Sequence, residues 1–331
     1  MPIQVRSGFS LRAEASFMSE IILHHYAASP FAEKVRVLLG YKGLAWRSVD
    51  IPMVMPKPDL LALTGGYRKT PVLQIGCDVY CDTPHIARAL DAHVPERPLF
   101  RAEQAATSMA AGRFFDRELF LGAIAMAFHP SVAASSAVAL GGPDKVVAFA
   151  EDRARFMGSA PVRPPRREDG RVVVMETLRQ LDSQLRLTGP FLTGRSFGWV
   201  DACAYHPLWT LRGNAALAPL LDEYPDVLRW MDAIAAFGHG RPSVLSADEA
   251  LAACRSAKPA PRPGPQFSLE RLELGAFVEI AANDYGMEPT VGRLVHVGAD
   301  ELAIARHDER AGEVVVHFPR IGFVVKAHKA G

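Results

Sequence analysis

Three short stretches combine residue types that can hold an anion or a polar ligand: Ala28-Ser29-Pro30-Phe31-Ala32, Lys69-Thr70-Pro71-Val72-Leu73 and Asp82-Thr83-Pro84. Ser29 and Thr83 each precede a proline, which is accepted in a first helical turn because its missing N–H would be unpaired there. Both hydroxyls are therefore expected at helix N-caps. Unpaired backbone N–H groups and the positive end of the peptide dipoles favour negative charge at such a place. Lys69 adds a cation beside a strand. Metal and disulfide chemistry find less support. Cys77, Cys81, Cys203 and Cys254 are too few and too scattered for a disulfide framework. Cys77 and Cys81 flank a turn rather than forming a Cys-x-x-Cys pair, so no zinc is expected on them. His24 and His25 are adjacent and on a strand would point to opposite faces.

The elements that must position these residues are readable from apolar spacing. Ile21, Ile22 and Leu23 form a short buried-strand run, and Phe31, Val35, Leu38 and Leu39 repeat at helical spacing until Gly40 and Lys42-Gly43 end the helix. Trp46 to Ile51 reads as a second strand. Beyond a short Leu60 to Leu63 segment, strands are expected at Val72 to Ile75 and Val79 to Cys81 around a turn, then a helix from Thr83 with Ile86, Leu90 and Val94 on one face. From about Leu99 to Ala257 the apolar residues recur at three and four, broken by a polar loop at Ala160 to Asp169, which predicts an all-helical domain. Lys258 to Pro265 is Pro-rich and extended. Five β-rich runs follow: Ala276 to Ala281, Val291 to Val297, Glu301 to Arg306, Glu313 to Phe318 and Phe323 to Lys326, with a tight turn before the last. They predict a small SH3-like β-barrel. The expected division is a flexible extension at 1–17 ahead of Met18, an α/β domain at 18–98, a helical domain at 99–257, a linker at 258–266 and the barrel at 267–331.

Taken together, the three stretches resemble the glutathione transferase superfamily, in which a thioredoxin-like domain precedes an all-helical one. Ser29-Pro30-Phe31 is similar to the active-site stretch of the tau class, and of the omega class with serine in place of cysteine. The resemblance spans about residues 20 to 250. It implies glutathione as co-substrate, with no metal, and Ser29 as the catalytic hydroxyl facing the sulfur. A free thiol titrates at about 8.5, and lowering that to about 6.5, worth about 2.7 kcal/mol, would make the thiolate dominant at neutral pH. The resemblance further implies Pro71 as a cis proline that lets the Thr70 backbone pair with the cysteine portion of glutathione. Asp82 and Thr83 would hold the γ-glutamyl ammonium and carboxylate, and Lys69 the glycine carboxylate. A hydrophobic electrophile would sit in the helical domain, with Phe114, Phe115 and Phe120 as a candidate wall, at least two of them serving the core. A two-fold homodimer is also implied. The chain departs from the family where Asp82-Thr83 replaces the commoner Glu-Ser, and where Gly198 stands at the cap of the Gly194 to Asp201 motif, leaving its capping box incomplete. Ser29 and Ala32 occupy the places of a thioredoxin's redox cysteines, which disfavours disulfide chemistry.

Composition bounds these readings. With 331 residues, two domains and a small third are expected, and 49% apolar with 22% charged residues is ordinary for a packed globular chain. A formal net charge of +1 gives no global drive toward nucleic acid or anionic membrane. The C-terminal unit, with 9 Lys plus Arg against 10 Asp plus Glu from Lys258 onward, is likewise expected to contact protein or itself rather than phosphates. Apolar stretches such as Ala123 to Phe128 are far short of the roughly 20 residues of a membrane span, and the first residues lack a signal-peptide core. The expectation is a cytoplasmic glutathione transferase-like enzyme that conjugates or adds glutathione to an electrophile, with glutathione-dependent isomerisation or peroxide reduction left open because both need only the bound thiolate. The alternative is a non-catalytic protein of the same fold that uses its C-terminal β domain for partner contact.

Overall fold

Strand β1 (Ile21–His25) serves two cores at once, because successive side chains of a strand point to opposite faces. Ile21 and Leu23 enter a core shared with the helical domain, and Ile22 enters a second core shared with the C-terminal strands. The computed structural model describes residues 20–158, 160–261, 267–269 and 272–329. The extension expected at 1–17 and most of the Pro-rich linker lie outside them.

The first unit runs β1, α1 (Pro30–Tyr41), β2 (Ala45–Asp50), α2 (Pro58–Thr64), β3 (Val72–Ile75), β4 (Asp78–Cys81) and α3 (Thr83–His93). β1 and β2 are parallel, and β3 and β4 are antiparallel neighbours beside β1, which is the thioredoxin-like arrangement. The helical unit comprises α4 (Ala105–Phe114), a π-helical turn at Phe115–Leu119, α5 (Phe120–Ala127), α6 (Ala133–Leu140), α7 (Pro143–Met157), α8 (Arg167–Thr188), α9 (Trp199–Arg212) and α10 (Pro225–Ala235). Val35, Leu38 and Leu39 of α1 share a core there with Trp199, Leu208 and Trp230.

The region expected to be all-helical contains a strand. Arg241–Val244 (β5) pairs in parallel with β2, so the chain returns from α10 to the sheet before α11 (Ala247–Ser256). Arg-Pro-Ser-Val has no apolar alternation and all four residues are exposed, so the strand leaves no hydrophobic signal. α11 places Ala250, Leu251 and Cys254 in the second core.

The five C-terminal strands are present as β6 (Phe277–Ala282), β7 (Thr290–Val297), β8 (Glu301–Asp308), β9 (Gly312–Pro319) and β10 (Phe323–Ala327). β10 returns to pair with β6, after a turn at residues 320–322, as in the expected barrel. The barrel does not close. β9 bonds on its far side to β4 in the parallel sense, Val79 opposite Val316, and one sheet runs β10-β6-β7-β8-β9-β4-β3-β1-β2-β5. The physical reason is the outer edge of β4, a row of backbone donors and acceptors that β9 pairs. Val278, Ile280, Leu294, Ile304, Val314 and Val316 accordingly share a core with Ile22, Val49, Leu63 and Val79.

Candidate active site

Ser29 caps α1 as expected. Its side chain is 3% exposed, and Oγ accepts from the Ala32 N–H at 3.2 Å. A hydroxyl that accepts in the cap keeps its O–H to donate elsewhere. The Ser29 N–H donates to the Tyr26 carbonyl at 3.2 Å, which brings the Tyr26 side chain to the same wall. Burial pushes the Tyr26 phenol above its ordinary pKa, against the pull of Arg153 and of a contact with the Ser29 hydroxyl. Tyr26 belongs to no motif, so nothing in the sequence singles it out.

The Thr70–Pro71 peptide bond is cis. Behind it lies Lys57, buried, whose ammonium donates to Thr70 Oγ1 at 3.3 Å. Burial, helped by the neighbouring Arg153 charge, lowers the Lys57 pKa to about 8. Lys57 is invisible in the sequence because its partner is thirteen residues away on another loop.

The cap of α3 is Asp82, not Thr83. Asp82 has φ +71, a backbone region non-glycine residues seldom occupy, and its carboxylate accepts from the Thr83 N–H at 2.8 Å. Burial raises the Asp82 carboxyl above its usual range, with Lys69 and Lys34 pulling the other way. Thr83 becomes the first helical residue, and its buried Oγ1 has no hydrogen-bond partner among the described residues. Leaving such a group unpaired costs about 1–3 kcal/mol, which a ligand carboxylate there would offset.

Ser29, Lys69, Thr70, Pro71, Asp82 and Thr83 all line one cleft of about 1610 Å³. Lys69 is not free within it. Its ammonium lies 2.6 Å from Asp284 and 4.3 Å from the Tyr285 ring, both on the loop between β6 and β7. The C-terminal strands therefore contribute Asn283, Asp284 and Tyr285 to the cleft wall.

The opposite wall is apolar. Phe120 meets Phe31 edge-on at 4.6 Å, with Leu121, Ile124 and Phe128 beyond it. Of Phe114, Phe115 and Phe120, the last alone lines the cleft, while Phe115 enters the core and Phe114 is 42% exposed. The π-helical turn between α4 and α5 carries Asp116 to the cleft floor, where it accepts from Lys34 at 2.7 Å and lies 3.0 Å from His206 Nε2. Lys34 is fully buried, over the rings of Phe31 and Trp199. Although burial alone would raise it, Lys34 and His206 hold the Asp116 carboxyl below its usual range. Burial brings His206 down to about 4.

The motif at Gly194 to Asp201 keeps half of its capping box. Asp201 accepts from the Gly198 N–H at 3.0 Å, while glycine has no hydroxyl to return the bond. Asp201 also accepts from the Leu192 N–H at 2.8 Å and from Trp230 Nε1 at 2.9 Å, tying α9 to α10.

The family model of the glutathione S-transferase N-terminal domain matches residues 23–98, and that of the C-terminal domain matches residues 164–233. Among solved structures, a GST-like protein from Pseudomonas syringae is 40% identical, with 94% of this chain and 100% of that chain covered and a TM-score of 0.75. A glutathione transferase from Phanerochaete chrysosporium is 19% identical, with 66% of this chain and 98% of that chain covered at a TM-score of 0.53, a likeness of fold. No curated protein matches the chain. Among the described residues, no helix is long and apolar enough to cross a membrane.

Proposed function

The chain belongs to the glutathione transferase superfamily, and we propose that it binds glutathione along the Ser29, Pro71 and Thr83 wall and presents the sulfur, as a thiolate, to a hydrophobic electrophile. The observation that carries this reading is Ser29, buried at the N-terminus of α1 in the cleft wall, with its lone pair engaged by Ala32 and its hydroxyl in contact with the Tyr26 phenol, from which a sulfur anion would draw the O–H. The helix N-terminus adds favourable charge at the same point.

Thr83 Oγ1, without a partner among the described residues, receives the γ-glutamyl carboxylate, and Asp82 the ammonium. The Thr70 backbone pairs with the cysteine portion, held by cis Pro71. Lys69 reaches the glycine carboxylate from its ion pair with Asp284, and Lys57 behind Thr70 adds positive potential. The electrophile lies on Phe31, Phe120 and Ile124. The sulfur lone pair forms the new C–S bond. In an addition the thiol proton ends on the neighbouring carbon, and in a substitution it leaves with the departing anion. The same reading takes the protein as a cytoplasmic two-fold dimer, for which light scattering should return twice the 36.0 kDa chain mass.

The test pairs glutathione calorimetry with turnover of an activated aryl halide. Ser29→Ala should lower turnover at least about tenfold, or about 1.4 kcal/mol, with glutathione affinity nearly kept. Full turnover in that variant removes Ser29 from the chemistry. Glutathione binding by the wild type without turnover of any electrophile would favour the non-catalytic alternative.

A further inference from the structure

His85 on α3, Glu301 at the start of β8 and His317 on β9 each present a ligand atom within 4.8 Å of the others. They are far apart in sequence. The junction of β9 with β4 brings them together, because β4 leads directly into α3. Glu301 Oε2 lies 3.0 Å from His85 Nε2 and 3.7 Å from His317 Nδ1. Ligands about 2.0–2.1 Å from a tetrahedral zinc ion are about 3.4 Å apart, so these separations need only small adjustment.

Glu301 is the one carboxylate that His85 Nε2 and His317 Nδ1 both face. Neither ring nitrogen of His85, nor Nδ1 of His317, has a hydrogen-bond partner among the described residues, although all three are buried. His85 Nε2 approaches Glu301 Oε2 at 3.0 Å, the contact a bound ion would replace. His317 Nε2 meets Asp78 Oδ1 at 2.8 Å, so Nδ1 is the nitrogen turned toward Glu301. A histidine whose far nitrogen donates to a carboxylate is the usual arrangement of a metal ligand. Tyr80 stacks on the His317 ring at 4.5 Å and fixes its plane, while His296 Nε2 lies 3.5 Å from the other Glu301 oxygen.

We propose that His85, Glu301 and His317 bind one divalent transition-metal ion, with zinc best suited to two imidazole nitrogens and one carboxylate oxygen, and that Asp78 orients His317 for it. The ion joins α3 to the C-terminal strands two residues beyond Thr83. It acts on the stiffness of that wall and takes no part in the transfer reaction. The site rests on this cluster alone and does not depend on the transferase reading.

The experiment titrates the tag-free, EDTA-dialysed full chain with zinc by calorimetry, and with cobalt(II) by visible absorption, at pH 7.5 without glutathione. One equivalent per chain is expected, with d–d bands between about 500 and 700 nm for a four-coordinate nitrogen and oxygen site and a raised melting temperature. His85→Gln should abolish binding and leave the fold intact, since a glutamine amide can still donate to Glu301 in place of the imidazole. His317→Gln should abolish it too, and Asp78→Asn should weaken it roughly 10- to 100-fold. A folded wild type that takes up no zinc at 100 μM added metal, or a folded His85→Gln variant that binds as well as wild type, overturns the proposal. Either result leaves the cluster as a carboxylate held between two imidazoles by protons.

Discussion

Lys69 Nζ lies 2.6 Å from Asp284 Oδ1, and this contact ties the edge of the cleft to the loop between β6 and β7. The same loop touches the helical unit. Tyr285 packs edge-on to Phe156 of α7 at 5.4 Å, and the Gly286 N–H donates to the Phe156 carbonyl at 3.1 Å. Gly286 has φ +59, and a Cβ there would collide with the Phe156 ring, so glycine is required for the approach. All three units therefore meet at the cleft.

Removal of everything after Ala257 should consequently damage more than a distal module. It would expose the β4 edge and strip Val79, Leu63 and Val49 of the core they share with Val316, Ile304 and Val278. The expected outcome is loss of the cooperative thermal transition and of near-ultraviolet dichroism, with dye binding to exposed apolar surface. A truncated chain that melts cooperatively and binds glutathione as the full chain does would show that the units are independent.

Thr83→Ala separates a binding role from a packing role. The Thr83 hydroxyl has no partner among the described residues, so its loss should leave thermal stability unchanged or slightly raised. Glutathione affinity should fall by about 1–3 kcal/mol, the cost of a lost hydrogen bond to a charged group. Calorimetry returning unchanged affinity would take Thr83 out of the ligand's reach.

Local chemistry is legible in the sequence where one element both carries a residue and fixes its direction. Ser29 can be placed at the start of α1 because Pro30 and the Phe31, Val35, Leu38 spacing define that helix by themselves. For Thr83 the expected cap is one position off, since Pro84 is tolerated at either of the first two helical positions and the φ of Asp82 leaves no mark in its residue type. Lys57, Asp284 and Asp116 are not visible. Each depends on a partner from a distant element, and charge-bearing residues on loops or inside a π-helical turn show no periodicity. The joined sheet is hidden for the same reason: alternation in Val314, Val316 and Phe318 specifies a strand with one buried face but not its neighbour.

Acid should destabilise the protein through His24. Burial lowers its pKa from 6.5 to about 4, against the opposing hydrogen bond to Gln74 at 2.8 Å. A folded-state value below the unfolded one means stability that is fully present above about pH 6.5 and lost as pH falls through the folded value. Each tenfold change in proton affinity is worth about 1.4 kcal/mol, so the loss comes to about 3 kcal/mol below pH 4. Urea midpoints measured from pH 7 to pH 4.5 should fall more steeply for the wild type than for His24→Asn. Parallel slopes would assign the acid sensitivity to other groups.

Beneath the cleft, Lys34 and Asp116 form an ion pair whose lysine is wholly buried, and the two cannot be removed one at a time without cost. Lys34→Met leaves the Asp116 carboxylate with His206, and removal of one partner of a buried pair typically costs about 3–5 kcal/mol. His206 should respond. Its present value of about 4 reflects burial first, with the Lys34 charge also lowering it and Asp116 raising it, so without Lys34 it should titrate higher. The expected outcome is a destabilised Lys34→Met variant whose His206 resonance titrates above pH 4. A Lys34→Met, Asp116→Leu double variant should recover most of the stability, because no uncompensated charge remains. Turnover should fall in the single variant as well, since Lys34 sits one turn beyond Ser29 on α1 and anchors that helix to the π-helical turn. If the single variant is as stable as the wild type and His206 does not move, the Lys34 ammonium is not what holds the cleft floor in place.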